Sequence, residues 1–354
     1  MWDLRANISE AFNSIVTLTI DTHRVLWRDM QLLYPEIKAY AKHHMDVGHG
    51  HEIYYEESGS EDGTPVVYVH GGPGTGSVSY HRRFFDPEKY RIILIDQRGC
   101  GLSKANNPLA ENTADHLLDD MEAIREKLGI NRWVVFGGGW GATLSLLYAQ
   151  KYPERVLGLI LHSVFLGRQE DIDWIFETGV PRLVPDYWEE FTQSLHANDT
   201  KNLLKVFSDR LEGDDDLARM SAAKSWAVWY ARSSLLHHSS AWLKRFNDPH
   251  VASTTARIQA HYFRNHCFIK PNQVLQHCDQ LNDVPGIIVH GRFDLLCPLD
   301  CSWLLQQAWP EAELHIIRDA CHANLDPGIT DALVRAAKEM HKIVTHDCSD
   351  SASD

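Results

Sequence analysis

The sequence predicts an α/β protein with a mostly parallel central sheet, helices on both faces and one helical insertion. Three observations carry this. Short apolar runs rich in β-formers alternate with segments of helical period up to about residue 165. The runs are uniformly apolar, as strands buried on both faces are. The rhythm stops over 166–272, where helical periods carry Trp174, Trp188, Trp226, Trp229 and Trp242, and then resumes.

Residues 1–29 read as an amphipathic or loosely ordered N-terminal extension, and Met30-Gln-Leu-Leu-Tyr-Pro-Glu-Ile reads like a second beginning. His43, His44, His49 and His51 crowd Gly48 and Gly50, and a polar hairpin turn is predicted there. A metal cluster is not, since no acid or thiol completes a set. Strands are expected at His51–Glu57, Pro65–His70, Arg91–Asp96, Trp133–Phe136, Val156–His162, Pro285–His290 and Glu313–Arg318. Helices are expected at Asp115–Leu128, Ala142–Ala149, Asp300–Ala308 and Ile329–Ile343. The core therefore spans 30–165 and 273–344, a helical cap spans 166–272, and the polar stretch 345–354 reads as a frayed tail.

Composition narrows the partners. With 48 acidic against 34 basic residues, a net charge of −14 excludes a nucleic-acid footprint and a polybasic membrane patch. No apolar run approaches the ~20 residues that span a bilayer, and the first residues lack a charged-then-apolar leader pattern. Seven scattered cysteines with no C-x-x-C read as unpaired thiols in a reducing cytoplasm. The expected partner is a small peptide or another small-molecule ligand.

The chemistry centres on Trp133-Val-Val-Phe-Gly-Gly-Gly-Trp-Gly-Ala-Thr-Leu-Ser145. A strand meets a helix through a Gly-rich turn, the frame of a G-x-S-x-G nucleophile elbow. Gly137–Gly141 fits the frame, but the central position is Gly139. Acyl transfer on such a scaffold needs a nucleophile, a base, an acid that orients the base, and an oxyanion hole. The order along the chain is nucleophile, acid, histidine. Asp294, after the strand ending at His290, and His322, four residues past the strand at 313–318, fill the last two places. His70-Gly-Gly-Pro-Gly74 leaves a strand end with little side chain, so the Gly72 amide is one oxyanion donor, beside Gly71. The Trp140 amide at a helix N-terminus is the other.

These motifs resemble the proline iminopeptidase family of α/β-hydrolases with a helical cap. The resemblance runs from about Leu33 to Ile343. It rests on Leu-Tyr-Pro-Glu-Ile at 33–37, His-Gly-Gly-Pro-Gly at 70–74, Asp-Gln-Arg-Gly-Cys-Gly at 96–101, Gly-Gly-Gly-Trp-Gly at 137–141, Ala-Arg-Ile-Gln-Ala-His-Tyr-Phe at 256–263 and His-Gly-Arg-Phe-Asp at 290–294. It implies the α/β-hydrolase fold, release of N-terminal proline from peptides, a cytoplasmic setting, no cofactor and no metal. It also implies a substrate site around Gly71, Trp229, Tyr230 and Gln259.

The departures fall on the chemistry. The family pattern has Ser at the position of Gly139. It has Glu after the second Trp of a Trp-x-x-Trp, where this chain has Tyr230, and Glu within Ala-Arg-Ile-Glu, where it has Gln259. Those glutamates are expected to hold the substrate ammonium. Losing a serine nucleophile costs on the order of 10⁶ in kcat, about 8 kcal/mol of barrier. Ser145, Ser103 and Cys321 are each expected to be unable to replace it. Glycine is easily accepted at 139, because the elbow demands φ > 0, which costs a residue with a Cβ about 1–2 kcal/mol. Peptidase turnover is therefore expected to be lost or strongly reduced. The alternatives are a non-catalytic ligand- or partner-binding member, or a hydrolase of a different neutral substrate using water activated by His322.

Overall fold

The computed structural model describes residue 31 and residues 33–193, 195, 202–237 and 239–350, without the side chains of 347–350. The predicted extension at 1–29 lies outside the described residues.

One sheet organises the chain. Its strands are β1 (Ala41–Asp46), β2 (His51–Gly59), β3 (Thr64–Val69), β4 (Tyr90–Asp96), β5 (Lys104–Ala105), β6 (Trp133–Gly138), β7 (Val156–His162), β8 (Gly286–Gly291) and β9 (Glu313–Ile317). The order across the sheet is β1-β2-β4-β3-β6-β7-β8-β9, with β5 paired to β2. Pairings from β4 through β9 are parallel, and those of β2 with β1, β4 and β5 are antiparallel. The mostly parallel sheet is thus as expected. Strand β1 went unpredicted: its alternation is half-exposed and polar. The histidine-rich stretch is the hairpin joining it to β2, with His43 and His44 paired to Glu57 and Glu52.

The apolar strands feed two cores. Successive strand side chains point to opposite faces. Val67 and Val69 of β3, Ile93 and Ile95 of β4, and Trp133 and Val135 of β6 join one cluster. Their neighbours Val66, Tyr68, Ile92, Leu94, Val134 and Phe136 join the other. Helix α1 (Ala114–Lys127) and helix α2 (Trp140–Lys151) cover the first face. Residues 140–149 of α2 are all buried, which a helix apolar on every side requires.

Between β7 and β8 the described elements are all helical. The longer helices are α3 (Pro185–Thr192), α4 (Leu203–Glu212), α5 (Asp216–Ser233), α6 (Ser240–Phe246) and α7 (Pro249–Arg264). Asp215 caps α5 by accepting from the Leu217 and Ala218 amides, and Asp248 caps α7 from His250 and Val251. Aromatic rings fill the centre: Phe191 stacks on Phe207 at 4.7 Å, and Phe176 lies 4.9 Å from Trp226. The segment is tied to the sheet domain by Trp174 Nε1 donating to the Leu295 carbonyl (2.7 Å) and Tyr262 Oη to Asn112 Oδ1 (2.7 Å). Helix α8 (Leu299–Ala308) and helix α9 (Pro327–Asp350) complete the fold. Helix α9 runs through Asp350, past the expected end at Ile343. The predicted frayed tail at 345–354 is therefore helical over its described part, continuing the amphipathic turns that bury Met340 and Val344.

Strand order also places the site. The chain moves from β3 to β4 on one side, then crosses to β6 on the other. Ligands on open α/β sheets bind beyond the strand C-termini at such a reversal. Here that crevice lies past Val69 and Gly138, where His70-Gly71-Gly72 and Gly139 begin.

Four histidines near this edge are buried and held neutral: His70, His81, His162 and His290. Burial is the largest cause that pushes each below the ordinary histidine value, and His162 is pushed down to about 3. The unfolded chain takes up these protons near pH 6.5, the folded one resists, so stability falls as pH drops below that value. Each such group contributes up to about 1.4 kcal/mol per pH unit in its window. The melting temperature is expected to fall steadily from pH 6.5 towards 4, and His162→Leu should flatten that slope. An unchanged slope would show that His162 titrates normally.

Candidate functional site

Each glycine of the elbow except one is closed by its neighbours. A Cβ at Gly137 would collide with the Gly141 carbonyl, one at Gly138 with the His162 ring, and one at Gly141 with the Val69 carbonyl. This close approach packs β6 against β3, β7 and α2. Gly139 differs. Its backbone sits at φ 55° and ψ −121°, and a Cβ there would find only His322, with Cε1 at 3.5 Å and Nε2 at 3.7 Å. Position 139 is thus strained for an L-residue yet open toward the histidine, which is the nucleophile slot of an elbow.

The acid and the base are assembled. The His322 Nδ1 lies 2.9 Å from Asp294 Oδ2 and 3.1 Å from Oδ1. Asp294 also accepts from the Leu296 and Cys297 amides, at 3.0 and 2.8 Å, in a turn that fixes its rotamer. Burial opposes the Asp294 charge. His322, His290 and the Cys297 amide outweigh it and hold the carboxyl below its ordinary value. An ionised Asp294 orients Nδ1–H and leaves Nε2 toward residue 139. The loop carrying His322 is held by the Ala323 amide donating to the Ser234 carbonyl (3.0 Å) and by Ser163 Oγ donating to the His322 carbonyl (3.0 Å).

The oxyanion donors are set by Gln97. Its Nε2 donates to the His70 carbonyl (2.7 Å), and its Oε1 accepts from Trp140 Nε1 (3.1 Å). One side chain therefore fixes the strand end that leads into Gly71 and Gly72 and the indole that opens α2. Among the described residues, neither the Gly72 nor the Trp140 amide has a backbone acceptor. Asp96 ties the flanking loops by accepting from the Ser77 amide and hydroxyl (2.6 Å each) and the Leu102 amide (2.7 Å).

A narrow cavity adjoins the elbow, lined by Gly72, Gly139, Trp140, Trp229, Tyr230 and Gln259 together with Phe165, Phe176, Trp226 and His322. The expected site residues are therefore brought together, except that Asp294 stands behind His322. Gly71 lines a neighbouring, larger cavity that shares Tyr230 and His322.

The three side chains expected to be unable to replace the nucleophile are engaged elsewhere. Ser145 Oγ donates to the Gly141 carbonyl (2.6 Å), and Ser103 Oγ to the Asp96 carbonyl (2.5 Å). Cys321 Sγ lies against Asp326 Oδ2 (3.4 Å), and burial pushes its thiol up to about 12. Three residues escaped the sequence reading. Cys297 places its sulfur within 4.8 Å of ligand atoms of Asp294 and His322. Both Asp294 oxygens already accept hydrogen bonds, and burial raises that thiol well above its ordinary value. His162 lies beneath Gly138 with both ring nitrogens buried and unpartnered. Arg245 lines the larger cavity. The Asp-x-x-Cys spacing of a side-chain-capped turn was readable for Cys297; for the other two, only the fold supplies the signal.

Comparison with known proteins agrees. Residues 64–328 match the family described as alpha/beta hydrolase fold. The probable proline iminopeptidase of Leptolyngbya boryana is 42% identical over 87% of this chain and 96% of its own length. The proline iminopeptidase of Arabidopsis thaliana is 41% identical, over 88% of this chain and 83% of its own. Among solved structures, bromoperoxidase from Bacillus anthracis superposes with a TM-score of 0.62 at 18% identity, covering 85% of this chain and all of that one, which speaks to the fold alone. With its glycine-rich elbow and its Asp294–His322 pair in place, the chain belongs to the proline iminopeptidase family of α/β-hydrolases.

Proposed function

We propose that this chain keeps the family's ligand cavity and acid–base frame but has lost, or strongly reduced, the family's release of N-terminal proline. The observation that carries this is the open slot at Gly139, with Ser103, Ser145 and Cys321 each engaged elsewhere. The covalent step has no oxygen to attack with. Recognition changes in parallel, because Tyr230 and Gln259 line the cavity where two carboxylates would hold an ammonium. The ligand is a small peptide-like or other small molecule, and we place the chain in the cytoplasm on its family resemblance. No described helix is long and apolar enough to cross a membrane.

A second reading has one observation in its favour. The Cβ-sized space at Gly139 lies 3.7 Å from His322 Nε2, room in which a water molecule can accept activation from the histidine and attack a neutral ester or amide directly.

Release of 4-nitroaniline from L-proline 4-nitroanilide tests the first reading. The unmutated chain should fall on the order of 10⁶ below ordinary enzyme rates. Turnover at ordinary rates would refute it, and slow turnover of simple esters abolished by His322→Ala would favour the water route. In Gly139→Ser, the new Oγ comes within hydrogen-bond reach of His322 Nε2. Its backbone strain should lower stability by about 1–2 kcal/mol in denaturant unfolding. Proline release should recover little in that single variant. It should recover fully only when Tyr230→Glu and Gln259→Glu are added; full recovery in the single variant would contradict the assigned roles of those two positions.

A further inference from the structure

The site carries donors and a cation where its family pattern carries acids. Gln259 is buried, and its Oε1 accepts from Trp226 Nε1 at 2.6 Å. An indole N–H only donates, so chemistry fixes which end of the amide faces it. The Gln259 Nε2 is left buried with no acceptor, and so is Trp229 Nε1. Both residues line the apolar cavity. A ligand ammonium would bring more donors to a wall already short of acceptors, whereas a ligand oxygen would satisfy it.

The adjoining cavity, wider and open to solvent, is lined by Tyr68, Gly71, Tyr230, Trp242, Arg245 and His322. Tyr230 and His322 line both cavities, so the two adjoin at these side chains. Arg245 sits on α6. One Nη donates to the Thr75 carbonyl (3.0 Å), and the guanidinium lies 6.0 Å from the Phe246 ring. Among the described residues no carboxylate lies within ion-pair distance of it. Asp96 acts on it only from farther off, and its oxygens are spent on Ser77 and Leu102. Burial pulls against this charge, yet arginine stays protonated in proteins. A mostly buried guanidinium with one carbonyl for a partner has donors to spare, in the fork that matches a carboxylate. Tyr68 Oη accepts from Asn324 Nδ2 (3.3 Å), which leaves its hydrogen free to donate. Burial keeps the phenols of Tyr68 and Tyr230 protonated.

We propose that this site binds a small organic carboxylate with an apolar body, the carboxylate on Arg245 and the body in the aromatic cavity beside Gln259. The proposal rests on the reading that the cavity still holds a ligand, not on the loss of turnover. Ligand charge is thereby reversed relative to a peptide ammonium. Two acids are replaced by Tyr230 and Gln259. The remaining acid at the junction, Asp294, is occupied by His322 and two amides.

Calorimetric titration of the full chain with three probes of one shape tests this: 3-phenylpropanoate, 3-phenylpropanamide and 3-phenylpropylamine. The carboxylate should bind about tenfold or more tighter than the amine, with the amide between. Arg245→Met should remove that preference and leave amide binding unchanged, while Arg245→Lys keeps part of it. Circular dichroism and melting check that the variants fold; if Arg245→Met does not, Arg245→Gln takes its place. Equal or tighter amine binding, an Arg245→Met chain with undiminished carboxylate affinity, or no binding of any probe would each overturn the proposal. The proline 4-nitroanilide assay separates the two accounts: ordinary turnover alongside carboxylate preference would sink the loss of activity and leave this inference standing.

Discussion

The geometry of this protein depends on how closely β6 and α2 approach their neighbours. Gly137, Gly138 and Gly141 each lack room for a Cβ, against Gly141 with Ser145, His162 and Val69 respectively. That contact lets the chain reverse over a single residue, which must then take a positive φ. The reversal aims residue 139 at His322, leaves the Trp140 amide at a helix start, and sets it beside Gly72. Any side chain at 137, 138 or 141 would push these apart by more than hydrogen bonds tolerate. Gly139 alone has space, so its lack of a side chain answers to chemistry rather than to packing. Glycine at this position takes the positive φ without strain and leaves the surrounding frame undisturbed.

A second constraint is electrostatic. The region holds four neutral buried histidines, an ionised acid already bound to its base, and a cation with no acid within ion-pair distance among the described residues. In a cavity with apolar walls such charges are screened little. Removing the nucleophile and removing two acids act on different steps, the covalent one and the recognition one. We propose that their joint occurrence at one cavity reflects a site that has changed its ligand rather than one that has merely lost an atom.

Much of this was legible from the residues. The uniformly apolar runs gave β3, β4, β6, β7 and β8, because both faces of a parallel sheet are buried. The Gly-rich turn, Asp294 and His322 were placed by their position after strands, and the tryptophan-rich break in rhythm marked the helical segment. Other features resisted. Strand β1 is half-exposed and polar, so its pattern does not separate from a loop. Helix α9 runs seven residues past the last clear apolar position used to bound it, since a polar amphipathic end looks like a tail. Arg245 and His162 gain meaning only from what the fold sets opposite them. An arginine on a short helix is ordinary until no acid faces it, and a histidine in a strand is ordinary until both its nitrogens are found without partners.

The central claim is that the acid–histidine pair and the neighbouring amides stand ready while position 139 supplies no nucleophile. Intact-mass measurement after exposure to a fluorophosphonate tests it most directly, because the reagent bonds to a serine activated by its histidine and oxyanion amides. The account predicts no adduct on the unmutated chain and one adduct on Gly139→Ser, lost again when His322→Ala is added. An adduct on the unmutated chain, or none on Gly139→Ser, would contradict it.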